Sequence, residues 1–182
     1  MIRIIQGIYK GRFLKIPDSK VTRPTRDKVR QAIFNAVYDK VLSSTCLDLF
    51  AGSGARGLEA LSRGAKTVYF NDKNFQTFKI LKENIFSLSP EKDSVFLSLR
   101  DYRLFLKKNQ NVQFDLVFLD PPYKRIINAS VIQERKKRNR LKDGAIVVSE
   151  QETKNEEIDG FTLKEYHYGQ KSVGIYRREE KK

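Results

Sequence analysis

Apolar and polar positions alternate in blocks along most of the chain. Short apolar runs, typical of buried strands, occupy residues 46–50, 67–70, 94–97, 114–119 and 145–149. Between them, apolar residues recur at three- and four-residue spacing, which predicts helices over residues 55–63, 74–86, 101–108 and 128–140. Because strands that alternate with helices build βαβ units, we expect a mostly parallel sheet covered by helices on both faces.

The two ends of the chain follow other patterns. Residues 1–17 predict a small β-hairpin, and the next segment predicts an amphipathic helix with Thr25 as its N-cap. Near the other end, residues 161–168 and 172–177 predict an antiparallel pair of strands. The expected fold class is therefore α/β: a doubly wound, mostly parallel sheet that ends in an antiparallel hairpin, with a small N-terminal β-hairpin and helix as an extension.

The size and composition of the chain fit one domain. With 182 residues, of which 40% are hydrophobic, the chain can bury a core of ordinary size. We expect a single domain over residues 1–182, made of a basic N-terminal extension (1–42) and a cofactor-binding and catalytic core (43–182). The sequence has no apolar run long enough to cross a membrane and no signal-peptide pattern, and its single cysteine excludes an internal disulfide. These features predict a cytoplasmic protein with no membrane partner.

Charge narrows the choice of partner. The chain carries 36 Lys and Arg against 22 Asp and Glu, a net charge of +14. A lysine-rich surface without any partner would give the same total, but the basic residues cluster within residues 1–30 and 135–142. Clustering favours a polyanionic partner, most simply a nucleic acid. The best candidates for phosphate contacts are Lys10, Arg12, Arg23 and Arg26.

A glycine-rich loop follows the first predicted strand of the core. Gly52, Gly54 and Gly57 form G-x-G-x-x-G, which lets a ligand approach the backbone and the following helix closely. Asp48, at the end of the strand, would be an unfavourable neighbour for the diphosphate of a dinucleotide. It favours S-adenosylmethionine, which carries an ammonium and a sulfonium. The alternative is that Asp48 only accepts backbone hydrogen bonds within the loop.

Other residues beside this loop are candidates for the same cofactor site. Phe50 and Ser53 lie in the loop itself. Asp72 ends the next strand, 20 residues after Gly52, where an acid can accept from both ribose hydroxyls; an exposed turn acid is the alternative. Asp101 could accept from an adenine amino group while the Tyr102 N–H meets a ring nitrogen, although Asp is also a preferred helix N-cap.

The sharpest motif is D-P-P-Y at residues 120–123, directly after the fourth predicted strand of the core. The prolines stiffen the backbone and extend the residue before them. The Asp120 carboxylate and the Pro121 carbonyl are thereby held as two acceptors, which suit the two hydrogens of an exocyclic amino group. Tyr123 offers a ring on which a flipped base can stack. A tight turn with a partly buried tyrosine is the alternative.

D-P-P-Y together with L-D-L-F-A-G-S-G resembles the adenosylmethionine-dependent amino-methyltransferases of nucleic acids. Over the whole chain the sequence is similar to the RsmD family, through residues 3–12, 22–25, 29–30, 33–35, 57–65, 81–84 and 168–169. The resemblance implies a seven-stranded class I methyltransferase fold and methylation of guanine N2 in 16S ribosomal RNA. It also implies an assembled or partly assembled small ribosomal subunit as the partner, and we expect a monomer.

Three features depart from the family pattern. Arg56 replaces an apolar residue and Asn74 replaces a common acid, and we expect neither to touch the chemistry. Residues 132–140 are largely basic where the family has an apolar periodicity. This segment is expected to be either a short exposed helix or additional RNA-contacting surface.

Several other functions remain open from the residues alone. D-P-P-Y recognises an amino group and not the ring behind it, so methylation of adenine N6 in DNA or RNA is the nearest alternative. An NAD-dependent oxidoreductase and a non-catalytic RNA-binding protein are more distant ones. The chain has one cysteine, Cys46, and one histidine, His167, which cannot form a typical His/Cys metal site, so we predict no metal.

Overall fold

The structure, a computed structural model, describes residues 1–17, 23–122 and 127–180, without the side chains of 23–25. The strands are β1 (Ile2–Arg3), β2 (Phe13–Leu14), β3 (Thr45–Asp48), β4 (Thr67–Asp72), β5 (Val95–Leu99), β6 (Phe114–Leu119), β7 (Leu141–Gln151), β8 (Phe161–Tyr168) and β9 (Lys171–Arg178). The α-helices are α1 (Arg23–Ala36), α2 (Ala55–Ser62), α3 (Phe75–Leu88), α4 (Tyr102–Lys108) and α5 (Asn128–Lys137). Short 3-10 helices cover Tyr38–Lys40 and Lys92–Ser94.

Within these described ranges, seven strands form one sheet in the order β5-β4-β3-β6-β7-β9-β8. The pairs from β5 to β7 are parallel, whereas β9 pairs antiparallel with both β7 and β8. Strands β1 and β2 form a separate antiparallel pair. The predicted fold class is therefore confirmed. The strand order reverses between β3 and β6, and ligands of such sheets bind beyond the carboxyl ends of the strands near this point.

Both faces of the sheet are covered, as the continuous apolar strands predicted. On β6, Leu116 and Phe118 join the apolar cluster that includes residues of α1, α2 and α3. The alternate residues Val117 and Leu119 join the cluster that includes residues of α4 and α5. The end of β6 is thus fixed by packing on both sides. No helix in the described part of the chain has the length and apolarity that crossing a bilayer requires.

The N-terminal hairpin is attached to α2 by a buried carboxylate. Glu59 has no solvent exposure and accepts hydrogen bonds from the backbone N–H groups of Ile5 (2.9 Å) and Gln6 (3.0 Å). It also pairs with Arg63 at 2.8 Å and with Arg30 at 3.5 Å. The hairpin is therefore held against the helix that follows the glycine loop.

Two predictions about helix ends were wrong. Helix α1 begins at Arg23, so Thr25 lies inside it and is not its N-cap. Pro24 is tolerated because the N–H groups of a first helical turn have no partner within the helix. Helix α5 ends at Lys137 rather than at residue 140. Its basic segment is not simply exposed surface, since Arg135 is buried at 3% exposure.

Candidate active site

The glycine loop runs from the end of β3 into α2, and a hydrogen bond from a side chain of α3 supports it on one side. Gly52 and Gly54 have φ angles of +55° and +83°, a region that favours glycine. A Cβ on Gly52 would meet no atom within 4 Å, so open space lies beside the loop at this point. On the other side, the Asn84 side-chain amide donates to the Ser53 carbonyl at 2.9 Å. The loop is therefore held by Asn84 on one side and is open to a ligand beside Gly52 on the other.

Gly57, the third glycine of the motif, serves packing rather than ligand approach. A Cβ at this position would lie 2.3 Å from Cε1 of Phe70, a buried residue of β4. Only glycine lets α2 come this close to the sheet. Helix α2, and the loop before it, are positioned by this contact.

Asp48 is buried at the end of β3, with 3% exposure, and its Oδ2 accepts from the Gly57 N–H at 3.0 Å. Burial raises the pKa of Asp48 to about 7, although the positive charge of Arg56 and the Gly57 N–H both oppose this shift. The backbone-acceptor interpretation is thus realised. This hydrogen bond is compatible with the cofactor interpretation of Asp48. A neighbouring cation would stabilise the ionised form of a carboxyl whose pKa is about 7.

Asp72 is tied to the glycine loop. Its Oδ2 accepts from the Gly52 N–H at 2.8 Å, and its Oδ1 accepts from the Asn74 N–H (2.8 Å) and the Thr77 hydroxyl (3.1 Å). It is therefore not a free turn acid. The preceding residue, Asn71, is buried and donates to the carbonyls of Leu49 and Arg100, which joins the ends of three neighbouring strands.

Asp101 and Tyr102 follow β5 at the start of α4. Asp101 is the N-cap of α4 and accepts from the backbone N–H of Arg103 at 3.0 Å. The Arg103 guanidinium, 2.9 Å away, holds the pKa of Asp101 below its usual value. The Tyr102 ring lies 5.5 Å from the ring of Phe50, measured between centroids. The structure therefore brings the predicted cofactor residues Phe50 and Tyr102 together, and it confirms that Asp101 is a helix N-cap.

Asp120 follows β6 and is surrounded by charged groups. Its Oδ2 accepts from Arg56 Nη2 at 2.8 Å and its Oδ1 accepts from Lys171 Nζ at 2.9 Å. Glu150, near the end of β7 and 2% exposed, binds the same guanidinium through both of its oxygens. Burial alone would raise the pKa of Asp120, but the two cations outweigh it and hold that pKa below its ordinary value. Asp120 is an ionised acceptor.

The remaining residues of the motif are only partly described. Pro121 is partly exposed beside Asp120, whereas Tyr123 lies outside the described residues. Behind the corner, the buried Asn128 side chain donates to Ser149 Oγ at 2.8 Å. This contact fixes the start of α5 against β7.

The chain matches a family model described as "Conserved hypothetical protein 95" over residues 2–177. Among its relatives, "Ribosomal RNA small subunit methyltransferase D" of Haemophilus influenzae is 38% identical over 152 residues, which cover 83% of this chain and 79% of the relative. The protein of the same name from Escherichia coli is 36% identical over 154 residues, covering 85% and 76%. The chain belongs to this methyltransferase family.

The fold of this family member agrees with a solved structure. The Escherichia coli protein yhhF is 32% identical, superposes with a TM-score of 0.86 and covers 99% of each chain. The seven-stranded sheet, its parallel order and its antiparallel end are thus those of a class I methyltransferase.

Arg56 of this family member corrects one expectation. It was expected to lie away from the chemistry, but it touches Asp120 directly. Glu150 and Lys171, which complete the cluster, were missed. Glu150 could have been found from its position, since it directly follows the apolar run 145–149, at the same carboxyl end of the strands as Asp72 and Asp120. Lys171 gives no comparable signal, because it lies in a hairpin strand.

The candidate RNA-contacting residues lie on the N-terminal extension and α1. Lys10 and Arg12 are exposed, and Arg12 Nη2 donates to the Ser87 carbonyl at 2.5 Å. Arg26 is partly exposed, and the side chain of Arg23 is outside the described set. An open groove of about 550 Å³ lies beside Lys10 between the hairpin and α1.

The residues that could bind a metal or react as a thiol are few. Within the described residues, no three or more His, Cys, Asp or Glu side chains group as a metal site would require. The absence of a metal stays a prediction. Cys46 is fully buried in the core, and burial raises the pKa of its thiol to about 12.

Proposed function

We propose that this protein transfers a methyl group from S-adenosylmethionine to the exocyclic N2 amino group of a guanine in small-subunit (16S) ribosomal RNA. The observation that carries the proposal is the pair of acceptors at Asp120 and Pro121, set beside a glycine loop at the switch point of a methyltransferase fold. The names of the relatives support ribosomal RNA as the substrate. Methylation of adenine N6 remains the alternative.

The residues around the loop fit S-adenosylmethionine. The open side of Gly52 leaves room for the methionine part next to Ser53 and Gly54. Asp72 Oδ2, which receives one backbone N–H, keeps a lone pair for a ribose hydroxyl. Phe50 and Tyr102 form an aromatic wall, and Asp101 stands beside it as an acceptor for the adenine. Asp48 supplies the negative charge that a cationic cofactor favours.

In the proposed reaction, Asp120 and the Pro121 carbonyl each accept one hydrogen of the amino group and direct the nitrogen lone pair away from the base. The bound cofactor supplies an electrophilic methyl group, so that a C–N bond forms while the C–S bond breaks with its electron pair going to sulfur. The nitrogen then carries a positive charge, which the ionised Asp120 stabilises until one N–H proton is lost. That proton passes from the nitrogen to Asp120 or to solvent.

Positive side chains of the N-terminal extension are proposed to hold the RNA backbone. Lys10, Arg12, Arg23 and Arg26 would make binding depend strongly on salt. Tyr123 is proposed to stack on the target base. A single-domain monomer in the cytoplasm, with an assembled or partly assembled small subunit as substrate and no metal, completes the proposal.

The test uses labelled S-adenosylmethionine with unmodified small subunits and with free 16S RNA, followed by nucleoside analysis. N2-methylguanosine is expected, and N6-methyladenosine would overturn the substrate assignment. Asp120→Ala should lower kcat by roughly 10²–10³. Asp115→Asn is the matched control, because Asp115 lies on the same strand but pairs with Lys142 and the Thr45 N–H. Unchanged turnover in Asp120→Ala would sink the mechanism.

A further inference from the structure

Arg56 links the two acids at the ends of β6 and β7. Its Nη2 lies 2.8 Å from Asp120 and 2.6 Å from Glu150, and its Nε also bonds Glu150. The planar guanidinium thus binds the buried Glu150 through its Nε and Nη2 groups, and a remaining N–H of Nη2 donates to Asp120. A fork held in this way fixes the orientation of both carboxylates.

Lys171 holds Asp120 in a different way. Its ammonium is 2.9 Å from Asp120 Oδ1 and 3.6 Å from Glu150, and the side chain is 42% exposed, compared with 23% for Arg56. An ammonium on a flexible stem is a point charge with rotatable donors. The contact of Lys171 can therefore be exchanged without disturbing the core, whereas that of Arg56 cannot.

We propose that Arg56 is a positioning residue for methyl transfer, which locks the Asp120 carboxylate in its accepting orientation, and that Lys171 is the partner displaced by the substrate amino group. The inference rests on the proposed function and deepens it. The two carboxylate oxygens then have separate roles, since Oδ2 is anchored by Arg56, whereas Oδ1 is released by Lys171 to receive an amino hydrogen.

The charges around Asp120 support this assignment. Arg56 from α2 and Lys171 from β9 face it together with Glu150 from β7, and Asp48 from β3 lies close enough to interact with both Arg56 and Asp120. When Lys171 leaves, Arg56 remains as the one cation bonded to Asp120 within the described residues. The carboxylate then stays ionised and oriented while the amino group is bound.

The experiment compares three altered proteins with wild type in single-turnover and steady-state methylation. Arg56→Lys keeps the charge but removes the fork. Arg56→Met combined with Glu150→Gln removes both members of the buried pair, so no unpaired buried charge is left to unfold the protein. Lys171→Met removes the exchangeable partner. Arg177→Met is the matched control, since Arg177 is also on β9 but pairs with the exposed Asp39 at 2.9 Å.

We expect the double variant to keep the melting temperature within a few degrees of wild type and to lose roughly 10²-fold in kcat, because the acceptor is misplaced. Its KM for S-adenosylmethionine should change much less than its kcat, although the loss of Arg56 favours the protonated form of Asp48. Arg56→Lys should retain part of the rate, and Lys171→Met should lose far less than the double variant. The control should match wild type.

Two outcomes would overturn the inference. A folded double variant with wild-type kcat would show that Asp120 needs no anchor. A large rise in the KM for S-adenosylmethionine at unchanged kcat would assign Arg56 to cofactor binding instead. If the wild-type protein forms no N2-methylguanosine, the proposed function itself fails. If the wild type is active and the variants are equally active, only the inference about Arg56 and Lys171 fails.

Discussion

Replacing Asp48 with Asn should change how the stability of the protein depends on pH. The native carboxyl has a pKa raised to about 7 by burial, against 3.8 as its ordinary value. Between these two values the folded state holds a proton that the unfolded state has already released. The free energy of unfolding therefore falls as pH rises through this window. The side-chain amide oxygen of the variant would still accept from the Gly57 N–H, so Asp48→Asn removes the titration and keeps the hydrogen bond.

The size of the effect follows from the shift. At 1.36 kcal/mol per pH unit, a difference of about three units corresponds to roughly 4 kcal/mol as an upper limit. The unfolding free energy of Asp48→Asn minus that of wild type should thus increase by up to this amount between pH 4 and pH 8, because only the wild type loses stability through this titration. Most of the change should occur below pH 7.

The assay is denaturant unfolding of both proteins in steps of half a pH unit, without cofactor. Asp39→Asn is the control, because hydrogen bonding to Arg177 lowers the pKa of the exposed Asp39 carboxyl. Its replacement should cost less than about 1 kcal/mol, and this cost should stay nearly constant above the ordinary Asp pKa of 3.8 and be lost only as pH falls below it, which is the opposite sign in a different pH window. A constant gap between Asp48→Asn and wild type across the range would refute the reasoning.

Two further predictions concern the same loop. Binding of S-adenosylmethionine near pH 6.5 should release protons, because a cation beside Asp48 favours its ionised form. Calorimetry in buffers of different ionisation enthalpy should detect this release in wild type, and the release should be absent in Asp48→Asn. Gly57→Ala should destabilise the protein by about 1–3 kcal/mol, since its Cβ would meet Phe70 at 2.3 Å, and an unchanged denaturation midpoint would contradict the packing argument.

The strands that the sequence predicted most accurately are those whose limits are set locally. Residues 114–119 form β6 as predicted, because an apolar run interrupted only by Asp115 ends at a charged residue and a proline. The first residues of α3 and α4 could also be predicted, since the side chains of Asn74 and Asp101 cap these helices. In such cases the residues that decide the structure are neighbours along the chain.

The role of Arg56 could not be predicted in the same way. Its two acidic partners lie 64 and 94 residues further along the chain, and they meet it only because β6 and β7 are adjacent in the sheet. The length of β7 has a similar cause. It continues to Gln151 because β9 pairs with its last residues, which are polar and carry no apolar signal of their own.

The position of Arg56 also explains how three acids can share one end of the sheet. Asp48, Asp120 and Glu150 follow or end neighbouring parallel strands, and mutual repulsion would favour protonation of at least one of them. Arg56 bonds two of the three and opposes protonation of Asp48, while the burial of Asp48 works in the other direction. The result is an ionised acceptor at Asp120 beside a carboxyl at Asp48 that titrates near neutrality. A cationic methyl donor would therefore find its counter-charge at Asp48 and leave Asp120 available for the amino group.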